Sequence, residues 1–470
     1  MPSSHYIRRA RPYWMPIALL IMLLFGGSSQ SATSWHLWLQ LSSCFIIMVS
    51  AYRALAAEWT AMMAGFAAIL MLLIAWTILQ MVPLPYTLWS QMSGRAEIVQ
   101  GLQLLGISPD QPRPISVQAD QTFTAMLGFL PPIAVFFLFL AVGWRSAYRY
   151  ARWLIPGLGV ASVGLGLGQI TSGAEDLYLY EITNQGSPVG LFANANHQAT
   201  FLLMCLPFTA NLANRERLKW RTGEKDIASA VLIATVAIIL LSGIVAAGSL
   251  AGYGLLVPVL MMCVMLVRSG RSDRRGTYLS VGVVAGALVL AILTVGASPL
   301  LGELGLTSLS TGETSRLGMW ATSTDMLSDH IGLGSGLGTF AETYPLYEDP
   351  STVQDKFINA AHNDYLQLAI EWGLMGVALV ALALVLWIVS FIQVWMPSGR
   401  ENIQARRVAS AAMSVVLLHS LVDYPIRTPA IAALFAFCLA VMLVPAQQKG
   451  RKSKNRGGGD EERSGAHLTL

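Results

Sequence analysis

Long apolar runs separated by polar connections recur along this 470-residue sequence. A run of about 18 or more apolar residues is typical of a helix that crosses a membrane. Inside lipid the backbone amides have to be satisfied within the segment itself, which favours helices for runs this apolar. Only 12% of the residues are charged and 54% are hydrophobic, which is too apolar for a soluble globular protein. The sequence therefore predicts an all-α, polytopic integral membrane protein that forms a single membrane domain over residues 1–470.

About twelve transmembrane helices are predicted. The runs are 14–28, 35–52, 59–82, 122–142, 153–170, 189–213, 227–242, 246–267, 277–298, 364–392, 408–424 and 430–446. The first run resembles a signal peptide, but an uncleaved first helix is preferred because further apolar runs follow at once. The four cysteines all fall within these runs, and their spacing fits neither a metal site nor a disulfide framework.

The distribution of basic residues predicts the orientation of the chain. If the N-terminus is placed in the cytoplasm and the chain changes side at each run, 25 of the 30 Lys and Arg lie on the cytoplasmic side. An excess of basic residues in cytoplasmic loops is the rule in membrane proteins, so both termini are expected there. Residues 83–121 then form an outer loop, 299–363 a large periplasmic loop between helices 9 and 10, and 447–470 a disordered cytoplasmic tail. Five basic residues remain outside: Arg95, Arg113, Arg316, Lys356 and Arg427.

Arg316 opens an amphipathic stretch in the largest outer loop. A guanidinium group offers a planar fork of donors that matches phosphate oxygens, which makes Arg316 a candidate for binding a phosphorylated substrate. The alternative is an arginine at the membrane interface that pairs with Asp325 or Glu313.

His362 lies where this loop meets the next apolar run. Asn363, Gln367 and Glu371 follow at intervals of four residues, which predicts a polar stripe on one helix face. A carboxylate such as Glu371 inside an apolar run is a candidate for a functional site. A neutral imidazole at this boundary can accept a proton from a hydroxyl group. The alternative is a histidine that caps the helix.

Two further groups of residues are ambiguous. Asn194, Asn196 and His197 at the outer end of the sixth run either bind sugar hydroxyls or satisfy a broken helix. The glycines of Gly332–Gly338 fit a nucleotide-binding loop poorly, because no strand precedes them and they are predicted to lie outside the cell. A flexible turn or a close-packing site is preferred for that loop.

A last polar group lies at the outer end of the eleventh run. His419 and Asp423 are one turn apart, which is close enough for them to pair. They either serve the substrate or clamp two helices together. Arg427 is expected to point outward, where it can meet an anionic substrate.

Taken in order, these stretches are similar to the O-antigen ligase and polymerase family. The most specific block is Arg316-x3-Trp320, Gly332–Phe340, Ala361–Gln367 and Glu371–Gly376, and weaker matches are Gln80–Pro85, Leu191–Asn196 and His419–Pro425. The resemblance implies a C-type glycosyltransferase-like fold in the bacterial inner membrane, with an active site that faces the periplasm. It places a catalytic histidine at His362 and a phosphate-binding arginine at Arg316.

The resemblance also implies the substrates. Family members transfer a glycan from an undecaprenyl-pyrophosphate carrier to an acceptor, without a metal ion or a nucleotide cofactor. The acceptor is the lipid A core in ligases and another lipid-linked repeat unit in polymerases. Membrane lipid and other polysaccharide assembly proteins are the remaining expected partners, and nucleic acid is not one.

One departure from the family pattern bears on this choice. Family ligases carry a second arginine after a serine near the outer end of a middle helix, whereas the stretch around Ser242 has no basic residue. Either Arg427 or Lys356 supplies the second charge, or the lipid-linked donor is held differently. The departure favours polymerisation of O-antigen or exopolysaccharide repeats over ligation. A polysaccharide transporter or flippase and a non-catalytic scaffold are the competing classes.

Overall fold

The computed structural model describes residues 4–30, 34–107, 110–173, 175–268, 316–350, 358–396 and 402–445, without the side chains of 4–12, 34, 175, 316 and 317. The helices in these ranges are α1 (Ser4–Phe25), α2 (Ser34–Leu55), α3 (Ala61–Gln80), α4 (Tyr86–Trp89), α5 (Ala96–Leu104), α6 (Ala119–Met126), α7 (Leu130–Val142), α8 (Trp144–Thr171), α9 (Ala195–Arg221), α10 (Ile227–Ala246), α11 (Leu250–Arg268), α12 (Arg316–His330), α13 (Phe340–Thr343), α14 (Asp364–Trp395), α15 (Ile403–His419) and α16 (Pro429–Leu443). Short 3-10 turns lie at Leu127–Phe129, Glu175–Leu177, Tyr344–Leu346 and Pro425–Arg427.

The protein is an all-α, multi-pass membrane protein, as predicted. Within the described ranges, seven helical segments are long and apolar enough to cross a membrane: α2, α3, the joined α6 and α7, α8, α10, α11 and α14. Tyr13–Phe25 of α1 and Pro429–Leu443 of α16 are shorter apolar helices. Each predicted run in the described ranges overlaps a helix, and the run at 277–298 lies outside them.

The core of the bundle forms around α9. This helix packs against α8, α10, α11 and α15, and its side chains are buried on every face from His197 to Leu212. A helix that is buried all round belongs to the interior of a bundle. Peripheral α3 instead exposes apolar side chains, including Met71 at 64% and Leu72 at 55%, as expected of a helix that faces lipid.

Helix α14 is broken at Gly373, which adopts φ 62° and ψ −157°. The break frees the carbonyl groups of Ile370 and Glu371, which accept from the backbone amides of Ser335 at 2.9 Å and Gly336 at 3.0 Å. The side chain of Gln80 at the end of α3 also donates to the Glu371 carbonyl at 2.8 Å. The glycine-rich loop thus replaces the missing helical hydrogen bonds.

Close packing explains the glycines of that loop. Gly334, Gly336 and Gly338 all have positive φ, between 79° and 107°. A Cβ atom at Gly338 would lie 2.5 Å from the Cβ of Ala125. Of the two interpretations offered above, the close-packing site is therefore the one that the structure supports.

The segments outside the bundle are folded where they are described. In 83–121, Pro83–Leu84 (β1) pairs antiparallel with Arg113–Pro114 (β2), and α4 and α5 lie between them. In 299–363, α12 and α13 pack beside the first half of α14. Residues 299–315 and the tail 447–470 lie outside the described ranges, so the expectations for them stay predictions.

Candidate functional site

His362 has an unusual backbone conformation. Among the described non-glycine residues, His362 alone has a positive φ, at 48°. Such conformations are uncommon and tend to occur at functional sites. Its neighbours fix the turn on both sides. The Ala361 amide donates to Oε1 of Gln367 at 3.0 Å, and the Ala361 carbonyl accepts from Nε1 of Trp320 at 2.8 Å. Asn363 then caps α14 by accepting from the Leu366 amide, so His362 itself is not the helix cap.

Asp423 holds the His362 side chain. Nδ1 of His362 lies 3.2 Å from Oδ1 of Asp423. The carboxylate is fully buried, whereas 24% of the His362 side chain is exposed. Burial alone would raise the pKa of Asp423, but the hydrogen bond with His362 and the proximity of His197 and His419 lower it well below its usual range. Asp423 is therefore a carboxylate, and it directs one ring nitrogen of His362 inward.

Tyr424 lies between two histidines. Its ring makes edge contacts with His362 and His197, each with centroids 5.0 Å apart. His197 is buried, and its Nδ1 lies 2.8 Å from the hydroxyl of Thr428. The Tyr424 hydroxyl interacts with Asn194, and burial raises its pKa above the ordinary value. The aromatic ring thus links the start of α9 to the turn that carries His362.

Arg427 is enclosed by two carboxylates. Its Nη2 lies 2.9 Å from Oε2 of Glu371, and its Nε lies 3.4 Å from Oδ1 of Asp364. Burial alone would lower the pKa of Arg427, but the two carboxylates raise it. The prediction that Arg427 points outward is wrong: only 19% of its side chain is exposed, because it pairs inward with α14.

The predicted polar stripe on α14 is present, and its side chains form hydrogen bonds and ion pairs with other groups of the protein. Nε2 of Gln367 donates to Oε1 of Glu371 at 2.9 Å, which joins the turn of His362 to the pair formed with Arg427. Both side chains are buried. We interpret Gln367 and Glu371 as residues that position the turn, and their predicted contact with substrate stays a prediction.

The other predicted binding residues lie at the same end of the bundle. Asn194 caps α9 by accepting from the Asn196 amide at 2.8 Å, and both residues are half-buried. The spacing made His419 one candidate partner of Asp423. In the structure its Nδ1 lies 2.7 Å from the hydroxyl of Thr200, while Asp423 pairs with His362.

The two basic residues expected to bind phosphate are described less completely. Arg316 is the first residue of α12, four residues before Trp320, whose indole hydrogen-bonds beside His362. The backbone of Arg316 therefore lies about one helical turn, or about 5.4 Å along the helix axis, before that of Trp320. Lys356 lies outside the described ranges.

Several residues of this cluster were not predicted. Asp364 is buried and accepts from the Ser420 hydroxyl at 2.8 Å, and its amide donates to the Ser420 carbonyl at 2.9 Å. A second carboxylate seven residues before Glu371 in an apolar run was a usable signal for it. Tyr424 and Thr428 carried no such signal, because one aromatic and one hydroxyl residue near a helix end are common.

The arrangement suits general base catalysis. When Nδ1 of His362 donates to Asp423, Nε2 is left with a lone pair that can accept a proton. Within the part of the chain that the structure describes, no group of three His, Cys, Asp or Glu side chains can hold a metal ion. The structure thus defines a multi-pass α-helical membrane protein with an aspartate–histidine pair at one end of its bundle.

Comparison with known families agrees with this class. Residues 235–381 of the 470 match the model of the family described as O-antigen ligase. This match supports membership of the O-antigen ligase/polymerase family, the family that the motifs predicted. The matched segment contains His362 and Glu371, whereas Asp423 and Arg427 lie beyond it. A search of curated proteins finds no match.

The match to this family also implies a general activity, that of a glycosyltransferase-like ligase enzyme. The general substrates of such an enzyme are a lipid-linked glycan and an acceptor.

Proposed function

We propose that this protein transfers a glycan from an undecaprenyl-pyrophosphate carrier to an acceptor hydroxyl at the periplasmic face of the bacterial inner membrane. The reaction we favour is the polymerisation of O-antigen or exopolysaccharide repeat units. His362 is the catalytic base, Asp423 orients it, and Arg316 stabilises the leaving group. The observation that carries the proposal is the pairing of a partly exposed His362 with a fully buried Asp423 at 3.2 Å.

The proposed step balances as a direct displacement. The acceptor oxygen forms a bond to the anomeric carbon, and the bond from that carbon to the pyrophosphate oxygen breaks. The acceptor proton passes to Nε2 of His362, and the electron pair of the broken bond leaves with the carrier pyrophosphate. Attack opposite the leaving group inverts the anomeric centre. A positioned base contributes about 10²–10⁴-fold to the rate of such a step.

Positive charge near the leaving group is the second requirement. Negative charge grows on the pyrophosphate as the glycosidic bond breaks, and a preorganised cation lowers that barrier. Arg316 is the proposed cation, because the helix that it begins is tied to the turn of His362 through Trp320. The proposal needs no metal ion or nucleotide cofactor, with the positive charge coming from the protein itself.

The orientation in the membrane supports a periplasmic reaction. The expected topology puts 25 of 30 basic residues in the cytoplasm together with both termini. The His362 end of the bundle then faces the periplasm, where lipid-linked glycans are assembled in this family.

The choice of acceptor depends on the second cation. Ser242 lies on α10 with no basic residue around it, and its hydroxyl donates to the carbonyl of Ile239. Arg427 already neutralises two carboxylates, which makes it a poor substitute for a second phosphate-binding arginine. The protein is therefore expected to hold the carrier pyrophosphate differently from ligases, and this difference supports polymerisation. Ligation to the lipid A core is the alternative activity.

Reconstitution with a purified lipid-linked repeat unit tests the proposal. The wild-type protein should elongate the glycan, whereas His362→Ala and Arg316→Ala should each reduce elongation at least about 100-fold. Arg149→Ala, at an exposed position on α8, is the matched control and should elongate normally. Glycan chains of wild-type length from His362→Ala would contradict the assignment. Movement of the glycan across the membrane without elongation would identify a transporter, and added lipid A core as the obligatory acceptor would identify a ligase.

A further inference from the structure

A cavity of about 440 Å³ lies between α9, α10 and α11. The second half of α9 lines it from Leu206 to Trp220, and α10 and α11 form its other walls. Cavities of roughly 300–1,000 Å³ with apolar walls are typical of sites for small ligands. Leu206 is nine residues along α9 from His197, a distance of roughly 14 Å on the helix axis, so the cavity lies deeper in the bundle than the cluster around His362.

Small and apolar side chains form the walls of this cavity. Ala230, Ala234 and Ala237 follow one another at helical spacing on α10 and line one side of it. On α9, the hydroxyl of Thr209 donates to the Cys205 carbonyl at 3.1 Å, so this polar group is satisfied within the helix. Such walls suit a hydrocarbon chain, whereas a sugar needs hydrogen-bonding partners.

The cavity has the depth of one membrane leaflet. From Leu206 to Trp220, α9 advances by roughly 21 Å. The hydrocarbon core of a bilayer is about 30 Å thick, so an acyl chain in one leaflet extends through about 15 Å of it. The lining residues Ala234 and Leu260 are exposed, so the cavity borders the lipid-facing surface of the bundle there. An acyl chain can therefore enter the cavity from the membrane and lie along α9.

Basic and aromatic side chains surround one end of the cavity. Arg217 and Trp220 line it there, and exposed Arg215 and Arg221 lie on the same last turns of α9. Tryptophan is enriched where the hydrocarbon meets the headgroups, and basic side chains at that level attract anionic lipids. In the orientation that the basic residues predict, this end of the cavity faces the cytoplasm.

Arg217 is the basic residue that lines the cavity itself. Its side chain is half-buried, and its Nη2 donates to Oδ1 of Asn214 over a long distance, 3.4 Å. The adjacent carboxylate, Glu216, pairs instead with Lys219 at 3.0 Å. Among the residues that the structure describes, the salt bridges include none to Arg217. Its guanidinium group is therefore suited to bind a phosphate group at the mouth of the cavity.

We propose that this cavity binds an acyl chain of an anionic phospholipid from the cytoplasmic leaflet, and that Arg217 binds the phosphate group of the same lipid. The apolar walls select the chain. The positive charge of Arg215, Arg217 and Arg221 selects a headgroup with a net negative charge, such as that of phosphatidylglycerol. Binding of this lipid does not depend on glycosyl transfer, because the cavity and His362 lie in different parts of the bundle.

Native mass spectrometry of the purified full-length protein tests the site. Bound lipid is removed in detergent, and phosphatidylglycerol, phosphatidylethanolamine and phosphatidylcholine with identical acyl chains are added in turn. The last two lipids are neutral overall. We expect one phosphatidylglycerol bound per chain, with a Kd at least about tenfold below that of either neutral lipid. Because a lipid that binds the folded state stabilises it, phosphatidylglycerol should also raise the unfolding temperature most.

Two variants test the two ends of the lipid separately. Ala237→Phe fills the cavity and should abolish binding of phosphatidylglycerol, whereas Ala246→Phe, at an exposed position at the other end of α10, should not. Arg217→Met should raise the Kd about fivefold or more, and Arg149→Met, at an exposed position on α8, should leave it unchanged. If Ala237→Phe does not fold, Arg217→Met still decides, because Arg217 is only half-buried.

Three results would overturn the proposal. The first is equal Kd values for the anionic and the neutral lipids, or an unchanged Kd in both variants. The second is no bound lipid in the wild type, which would favour a segment of this chain as the occupant, such as the apolar run 277–298. The third is displacement of phosphatidylglycerol by an equimolar amount of undecaprenyl phosphate, which would assign the cavity to the glycan carrier. His362→Ala should bind lipid as the wild type does, so failure of the catalytic proposal does not affect this test.

Discussion

Replacement of Asp423 by Asn tests how the aspartate–histidine pair works. Asn keeps the size of the side chain and an oxygen that can still accept from the Tyr424 amide, which now donates to Oδ1 at 2.9 Å. Nδ1 of His362 lies 3.2 Å from the same Oδ1 atom, so the Asn oxygen can also accept from His362, and the tautomer is kept. The substitution instead removes the negative charge that stabilises the imidazolium formed when His362 takes up the proton of the substrate.

The expected loss follows from the roles of the two groups. Asp423 is fully buried, so no water replaces its carboxylate, and the 3.2 Å contact is its link to the base. Without the carboxylate charge the protonated histidine is less stable, so His362 loses most of its value as a base, which is on the order of 10²–10⁴-fold in rate. At about 1.4 kcal/mol for each factor of ten, the barrier rises by about 3–5 kcal/mol.

The assay is single-turnover transfer from a lipid-linked repeat unit, with Asp423→Asn, His362→Ala and the double variant compared. If Asp423 acts through His362, the double variant should be no slower than His362→Ala, because residues that act as a unit are not additive. Asp176→Asn, at an exposed position, is the control with the same chemistry. A transfer rate for Asp423→Asn within threefold of wild type, or additive losses in the double variant, would refute the reasoning.

Three further predictions concern stability and can be measured by unfolding of the purified protein. Arg427→Met should destabilise it by about 3–5 kcal/mol because the Glu371 carboxylate is left buried without its cation, and adding Glu371→Gln should recover part of the loss. Gly373→Ala should cost at least about 1–3 kcal/mol, since φ is 62° and the new Cβ would lie 2.6 Å from the amide nitrogen of Gly334. The pKa of His330 is about 4 in the folded protein and 6.5 ordinarily, so the unfolded chain takes up the proton first, and stability falls as the pH drops from about 6.5 to about 4. His330→Asn should remove this contribution to the pH dependence, which amounts to at most about 3 kcal/mol over that range.

Each of these predictions has a result that would contradict it. Arg427→Met as stable as wild type would contradict the argument that the buried Glu371 depends on its pairing with Arg427. For Gly373→Ala, the comparison is Gly164→Ala in α8, where an added Cβ meets no atom within 4 Å, and equal effects would contradict the steric argument. An unchanged pH slope in His330→Asn would show that His330 does not determine the acid sensitivity in this range.

The helices of this protein were largely predictable because length and hydropathy decide them. A run such as 59–82 has to be helical in lipid, and α3 extends over Ala61–Gln80. The start of α9 was placed too early, at residue 189, because apolar composition does not distinguish the loop before Asn194 from the helix after it. The cap at Asn194 determines that boundary.

The candidate site was predictable in its location but not in its pairings. His362, Asp423, Glu371 and Arg427 were all identified as polar residues at apolar boundaries, and the structure brings them to one end of the bundle. Their partners depend on how α14 packs beside the turn after α15, which hydropathy does not report. Arg427 thus pairs inward with Glu371, 56 residues away.

The break in α14 has a consequence for the order in which the protein is made. Its hydrogen-bond partners come from the end of α3 and from the glycine-rich loop, and the contact from Gln80 to Glu371 spans 291 residues. Membrane proteins leave the ribosome from the N-terminus, and contacts between distant residues cannot form until both are present. The turn of His362 can therefore be completed only after α15 and the Asp423 turn have been synthesised. A nascent chain that ends before residue 423 should therefore be inserted in the membrane without the contact between His362 and Asp423.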